Sequence, residues 1–229
     1  MLSRVISELP EFFGYYNVIF LAKAVVATVA LSSIGAATGC LAGLLLAIAR
    51  MTTARWLAPL RWAALVLTEL FRRIPFLVTL MLVFFAFQLS GFDLPLFTVA
   101  LLAVFLIASA YLAEIIRGGF ASVHRNQWDA AVAMNFSMLE TIRHVILPQA
   151  WRVILPPAFG FFVLFIKDTA LASQIGVIEL TYAGKVLNNK GFAAALVFGT
   201  LLLLYFLISY PLTRLGQRLE ARLAQPRHR

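Results

Sequence analysis

Four stretches of this chain run for about the length of a bilayer without a single charged residue, and no water-soluble fold can hide all of them. Residues 24–49, 74–92, 94–113 and 191–213 contain no Asp, Glu, Lys or Arg, and a helix needs about 20 mostly apolar residues to cross the hydrocarbon. Of the 229 residues, 62% are hydrophobic and 13% charged, against about 45–50% and about 25% for a soluble domain. The surplus apolar surface must face lipid. This makes the expected fold an all-α membrane protein.

A fifth span is less regular. Residues 153–166 are apolar but short, Lys167 and Asp168 follow, and apolar character resumes to about residue 178. Pro156 and Pro157 near its start are expected to break or offset the helix. The reading is one transmembrane domain over residues 1–229, with spans at about 20–49, 58–92, 94–117, 151–178 and 191–213. Glu8, Pro10 and Glu11 interrupt the place where a cleavable signal would keep its apolar core, so the first span is expected to direct insertion. Residues 3–17, mixing aromatics with acids, read as an outer interfacial segment. The single cysteine, Cys40, excludes an internal disulfide framework and reads as a small hydrophobe on a helix.

The charges then orient the spans. The net charge is +9, yet the basic residues do not form one stripe as they would for nucleic acid. They gather in alternate connections: Arg50, Arg55 and Arg61, then Arg117, Arg125, Arg143 and Arg152, then Arg214, Arg218, Arg222, Arg227 and Arg229. The opposite connections hold Arg4, Lys23, Lys185 and Lys190. Basic loops stay cytoplasmic, so the expected topology has the N-terminus outside and the C-terminus in the cytoplasm. Arg214, Arg218 and Arg222, spaced i, i+4, i+8, read as a snorkelling end to the last helix.

The connection at about residues 118–150 is long, polar and patterned, and charge places it in the cytoplasm. Gly118-Gly119 is expected to mark the exit from span three. Residues 127–139 read as a short helix: Ala130, Ala131 and Ala133 let another surface approach closely, while Trp128, Met134, Phe136 and Met138 offer apolar area to a partner's groove. Asp129 suits the positive end of the helix dipole. Ser137 and Glu140 have capping-box spacing for a second helix, which Pro148 is expected to close.

Gln127-Trp128-Asp129-Ala130-Ala131, Asn135 and Ile146-Leu147-Pro148 together resemble the EAA loop of permeases in binding-protein-dependent ABC importers, closest in pattern to those for polar amino acids. The likeness extends upstream to residues 68–75, through 110–157, and downstream to Lys167-Asp168-Thr169-Ala170-Leu171 and Ile175-Gly176-Val177. Asn126 and Asn135 stand where that family has glycine, Asp129 where it has glutamate, Arg73 often where it has glycine, and Ala170 where serine is common. Asparagine is the non-glycine residue most tolerant of left-handed backbone. The resemblance implies that Gln127, Trp128, Asp129, Ala130, Ala131, Asn135 and Pro148 contact a separate ATPase subunit. It also implies a second permease chain, identical or homologous, and a periplasmic or lipid-anchored solute-binding protein. No G-x-x-x-x-G-K-[ST] occurs, so this chain is not expected to bind and hydrolyse ATP by itself. The resemblance implies that it carries no cofactor, that ATP and Mg are bound by the partner, and that the chain lies in a bacterial inner membrane.

Ionisable residues at membrane depth line pathways or pair with one another. Glu69, Arg72, Lys167, Asp168 and Thr169 form the candidate substrate pathway, since a zwitterion needs both signs of partner. Glu69 and Arg73 have i, i+4 spacing, Glu114 and Arg117 lie one turn apart, and Lys167-Asp168 has the alternative reading of a buried pair. His124 and His144 lack partners at metal-ligand spacing. An ion-coupled secondary transporter is the competing reading, opposed by the odd span count and the lack of an inverted repeat. A membrane enzyme is opposed by the absence of any catalytic spacing.

Overall fold

A computed structural model describes residues 2–52 and 54–224. Among them there is no strand, and the helices in chain order are α1 (Leu2–Phe12), α2 (Tyr15–Met51), α3 (Ala58–Arg73), α4 (Phe76–Ser90), α5 (Leu96–Ala121), α6 (Arg125–Ala133), α7 (Met138–Glu140), α8 (Leu147–Asp168), α9 (Leu180–Asn189) and α10 (Ala194–Ala224). A π-helical stretch, Thr141–Ile146, joins α7 to α8, and 3₁₀ turns cover Arg55–Leu57 and Thr169–Ile175. In lipid every backbone group must find its partner within the protein, which is why continuous helices are the solution.

Four helical stretches are long and apolar enough to cross a membrane unaided: Tyr15–Met51, Leu96–Ala121, Met138–Ile175 and Ala194–Leu223. The fifth exists only if Arg55–Arg73 and Phe76–Ser90 count as one span broken between them. Pro75 makes that break: with no N–H to donate it cannot continue α3, and it becomes the residue before α4 instead.

The chain divides into two compact units. The first comprises Met1–Ala37, Ile74–Phe105 and Phe162–Leu212, and the second Thr38–Arg73, Leu106–Phe161 and Thr213–Arg229. The division sorts charge sharply. By sequence, every arginine except Arg4 belongs to the second unit, all four lysines belong to the first, and each unit has five acids. The first unit is therefore neutral and the second holds the whole net charge of +9.

Within the first unit, Leu21 and Ala24 of α2, Leu180, Ala183 and Leu187 of α9, and Leu196, Val197 and Leu201 of α10 form a core closed by Phe12 of α1. Glu179 sits fully buried at the start of α9. Its carboxylate accepts from the amides of Thr181 at 2.9 Å and Tyr182 at 2.7 Å and from the Tyr205 hydroxyl at 3.0 Å. Those donors favour the ionised form, but burial outweighs them and pushes the carboxyl above its usual range. Sequence reasoning passed over α9: ten residues are too few to register as a span.

Within the second unit, Ala47 of α2, Ile116 and Phe120 of α5, Ile142 and Ile146 of the π-helix and Ala150 of α8 form the other core. Close approach of α2 and α5 here depends on Gly39 and Gly43. A Cβ on Gly39 would lie 2.5 Å from the Ala108 Cβ, and one on Gly43 would lie 2.8 Å from the Ala113 amide nitrogen. Small residues at such crossings let apolar helices exchange dispersion contacts that lipid would otherwise supply.

Three expectations are corrected by these elements. Gly118 and Gly119 do not end a helix: α5 continues to Ala121. Gly119 instead makes room for α8, because a Cβ there would lie 2.2 Å from Ile154 Cγ1. Pro156 and Pro157 leave α8 unbroken from Leu147 to Asp168. Pro148 does not close a helix either: the π-helical stretch runs into α8, and the Leu147 amide reaches back five residues to the Ile142 carbonyl. The wider π turn gives the proline ring room that an α-helical i−4 carbonyl would deny it.

Candidate functional site

The loop between α5 and α8 is folded tightly from local rules. His124 caps α6 as its Nδ1 accepts the Asn126 amide at 3.3 Å. At the other end the Asn135 amide donates to the Val132 carbonyl at 2.9 Å and the Phe136 amide to the Ala131 carbonyl at 3.0 Å. This double bond pattern is a Schellman motif, which needs a left-handed residue after the helix. Asn135 supplies it with φ 61°, the only positive φ outside glycine among the described residues. The next helix starts on a full capping box, in which the Ser137 side chain accepts from the Glu140 amide and the Glu140 carboxylate accepts from the Ser137 amide at 2.8 Å. The helix proper is Arg125–Ala133, shorter than the stretch expected from sequence.

The faces of this helix are also reassigned. Ala131 is fully buried, and Trp128 packs inward against the second unit's own core rather than outward. Gln127 is tied to α8, its Oε1 accepting from Gln149 Nε2 at 3.2 Å. Asp129, Ala130, Ala133 and Pro148 are exposed. So are Val132 at 70%, Met134 at 58% and Leu139 at 66%. The available surface is thus a small-residue face with an apolar border, supported from behind by Trp128 and Ala131.

A second cluster in the same unit is ionic. Glu114 on α5 accepts from Arg50 Nη1 of α2 at 2.8 Å and from Arg117 Nε at 3.1 Å. Glu69 on α3 accepts from Arg73 Nε at 3.0 Å and Nη2 at 2.7 Å. Arg72 lies between the two carboxylates, its Nη1 3.6 Å from each. The Tyr111 hydroxyl bonds the Arg72 carbonyl at 3.2 Å. Four guanidiniums around two carboxylates leave a surplus of positive charge, and Arg72 is the member held least tightly.

The other pathway candidates belong to the first unit. Lys167 and Asp168 end α8, both exposed, and no ion pair joins them. Neighbours in sequence on a helix point about 100° apart and do not face one another, so the buried-pair reading fails. Thr169 is fully buried, donating to the Ile166 carbonyl at 2.7 Å and lying 3.2 Å from the Ser32 hydroxyl.

Long apolar helices and a structured loop helix with an exposed small-residue side together define an integral-membrane permease subunit. The chain belongs to the family of binding-protein-dependent transport system inner membrane components, which matches residues 39–225. It is 37% identical over 198 residues to the glutamine transport system permease protein GlnP of Escherichia coli, covering 86% of this chain and 89% of that one. Against the L-cystine transport system permease protein TcyB of Bacillus subtilis it is 35% identical, covering 86% and 83%. Its fold superposes on a crystal structure of an amino acid ABC transporter with histidines at a TM-score of 0.82, with 27% identity over 95% of this chain and 98% of that one. These likenesses select an ABC importer permease over an ion-coupled secondary transporter.

Proposed function

We propose that this chain is the permease of an ATP-driven importer for a polar amino acid, one transmembrane domain that pairs with a second permease chain. The observation that carries the reading is the loop helix α6. It is stiffened at both ends, braced from within by Trp128 and Ala131, and presents Asp129, Ala130 and Ala133 beside exposed Val132, Met134 and Leu139. A separate ATPase subunit, binding ATP and Mg, docks on that surface. Asn135 and Pro148 hold the helix and its continuation into α8, so motion at the ATPase becomes motion of a span.

The arginine-bearing connections lie on the cytoplasmic side, which puts the N-terminus outside and the C-terminus inside. Substrate arrives from a solute-binding protein outside. Lys167 and Asp168 on α8 offer a cation and an anion to a zwitterion, with Thr169 fixing the backbone behind them. Glu69 and Arg72 are the remaining polar candidates for the pathway. The amino acid class rests on the relatives named above.

Proteoliposomes test the whole assignment. Uptake of amino acid should require this chain, its ATPase subunit, its binding protein and ATP together. Uptake by the chain alone under an ion gradient would overturn the reading.

A further inference from the structure

Helix α1 has three distinct faces. At about 100° per residue, Arg4, Glu8 and Glu11 share one stripe, Val5 and Phe12 a second, and Ile6 and Leu9 a third, which Phe13 continues just past the helix end. The second stripe is packed into the first unit, where Phe12 is fully buried and meets Phe192 edge-on at 5.2 Å. The third is apolar and exposed, Ile6 at 59% and Phe13 at 51%. A helix surrounded by water would not keep such a stripe, whereas one lying along a bilayer boundary would. The polar stripe is on the opposite side of the helix and so faces water.

Against that polar stripe the chain builds a cavity of about 420 Å³, lined by Glu8, Glu11, Asn17, Lys190, Gly191 and Phe192. Its walls are fixed. Glu8 accepts from Arg4 Nε at 2.7 Å and from the Ala193 amide at 2.6 Å, and the amide above all holds its carboxyl below the usual range. Arg4 Nη2 donates to the Gly191 carbonyl at 2.9 Å, and Gly191 turns the chain there with φ 101°. Asn17 Nδ2 donates to the Glu11 carbonyl at 3.2 Å. Glu8 is fully engaged, while Glu11 and Lys190 are exposed and form no ion pair among the described residues.

We propose that this cavity is a docking point for the solute-binding protein, receiving one of its surface lysine or arginine side chains against Glu11 while Lys190 meets a neighbouring acid. The proposal rests on the importer reading and names the partner's contact. A preformed, water-facing cavity carrying one free charge of each sign fixes register as well as attraction, and rim charges of this kind act mainly on encounter. Loss of Glu11 should therefore weaken docking without touching the step that follows it.

The test uses the assembled permease–ATPase complex in nanodiscs of phosphatidylcholine and phosphatidylglycerol, titrated with its loaded binding protein while ATP hydrolysis is followed. Glu11→Lys should raise the half-saturating concentration about three- to tenfold and Glu11→Gln about twofold, with basal and maximal rates unchanged. The difference should shrink at high salt. Unchanged half-saturation in both variants overturns the proposal. So does a Glu11→Lys effect confined to free amino acid supplied without binding protein, which would make the cavity a solute site. A parent complex that its binding protein does not stimulate at all would instead overturn the importer reading, and docking with it.

Discussion

Asn135 carries the turn on which the proposed docking surface depends, and two substitutions there isolate backbone geometry from side-chain chemistry. With φ at 61° it closes α6 through the amide bonds of Asn135 and Phe136 to the carbonyls of Val132 and Ala131. Left-handed backbone costs an ordinary L-residue about 1–2 kcal/mol, more for a β-branched one, and nothing of this kind for glycine. Asn135→Val should therefore depopulate the turn by about 5- to 30-fold, since 1.4 kcal/mol is tenfold in an equilibrium. Asn135→Gly should leave it within about twofold. Because Asn135 is exposed, neither change disturbs a core. Binding of the ATPase subunit to the permease in nanodiscs, by fluorescence or interferometry, should show the valine variant weaker by up to that factor and the glycine variant near the parent. Equal affinity for the valine variant would refute the claim that this turn presents the docking surface, and a weak glycine variant would mean the asparagine amide itself makes the contact.

Two further perturbations test the packing of each unit. Gly39→Leu drives a side chain into Ala108 and the Ser109 amide and should cost about 3 kcal/mol or more, seen as loss of monodisperse protein in detergent; Gly199→Ala, with open space around it, should be neutral or slightly stabilising. Tyr205→Phe removes a donor from buried Glu179, whose carboxyl already lies above its usual range because of burial. A raised folded value means that this contribution is complete below the ordinary carboxylate range and is lost as pH rises through the raised value. Above that raised value the variant should thus be less stable than the parent by about 1–3 kcal/mol, with the gap narrowing as pH falls toward the ordinary carboxylate range; parallel pH profiles would refute it.

Much of this fold was legible because lipid enforces simple rules. Uncharged runs announced the spans, the capping box at Ser137 and Glu140 formed as spaced, and the Glu69–Arg73 and Glu114–Arg117 pairs closed at their i, i+4 and i, i+3 separations. What sequence alone missed depends on tertiary packing. Proline rules predicted breaks at residues 148, 156 and 157, but a π-helical turn and a packed span absorbed them. Trp128 read as a contact for a partner because its residue type suits an interface, yet the chain's own core takes it. Arg50 joining Glu114 across 64 positions had no local signal at all.

The separation of arginine from lysine has an electrical consequence. On the topology proposed above, with the arginine-bearing connections on the negative side of an energised membrane, turning the subunit over would carry nine net charges through the field. At about 2.3 kcal/mol per charge for each 100 mV, that is on the order of 20 kcal/mol. Guanidinium also stays ionised where a desolvated lysine would shed its proton, so the polarisation survives burial. On that topology the membrane potential that energises the cell would also hold this permease in a single orientation.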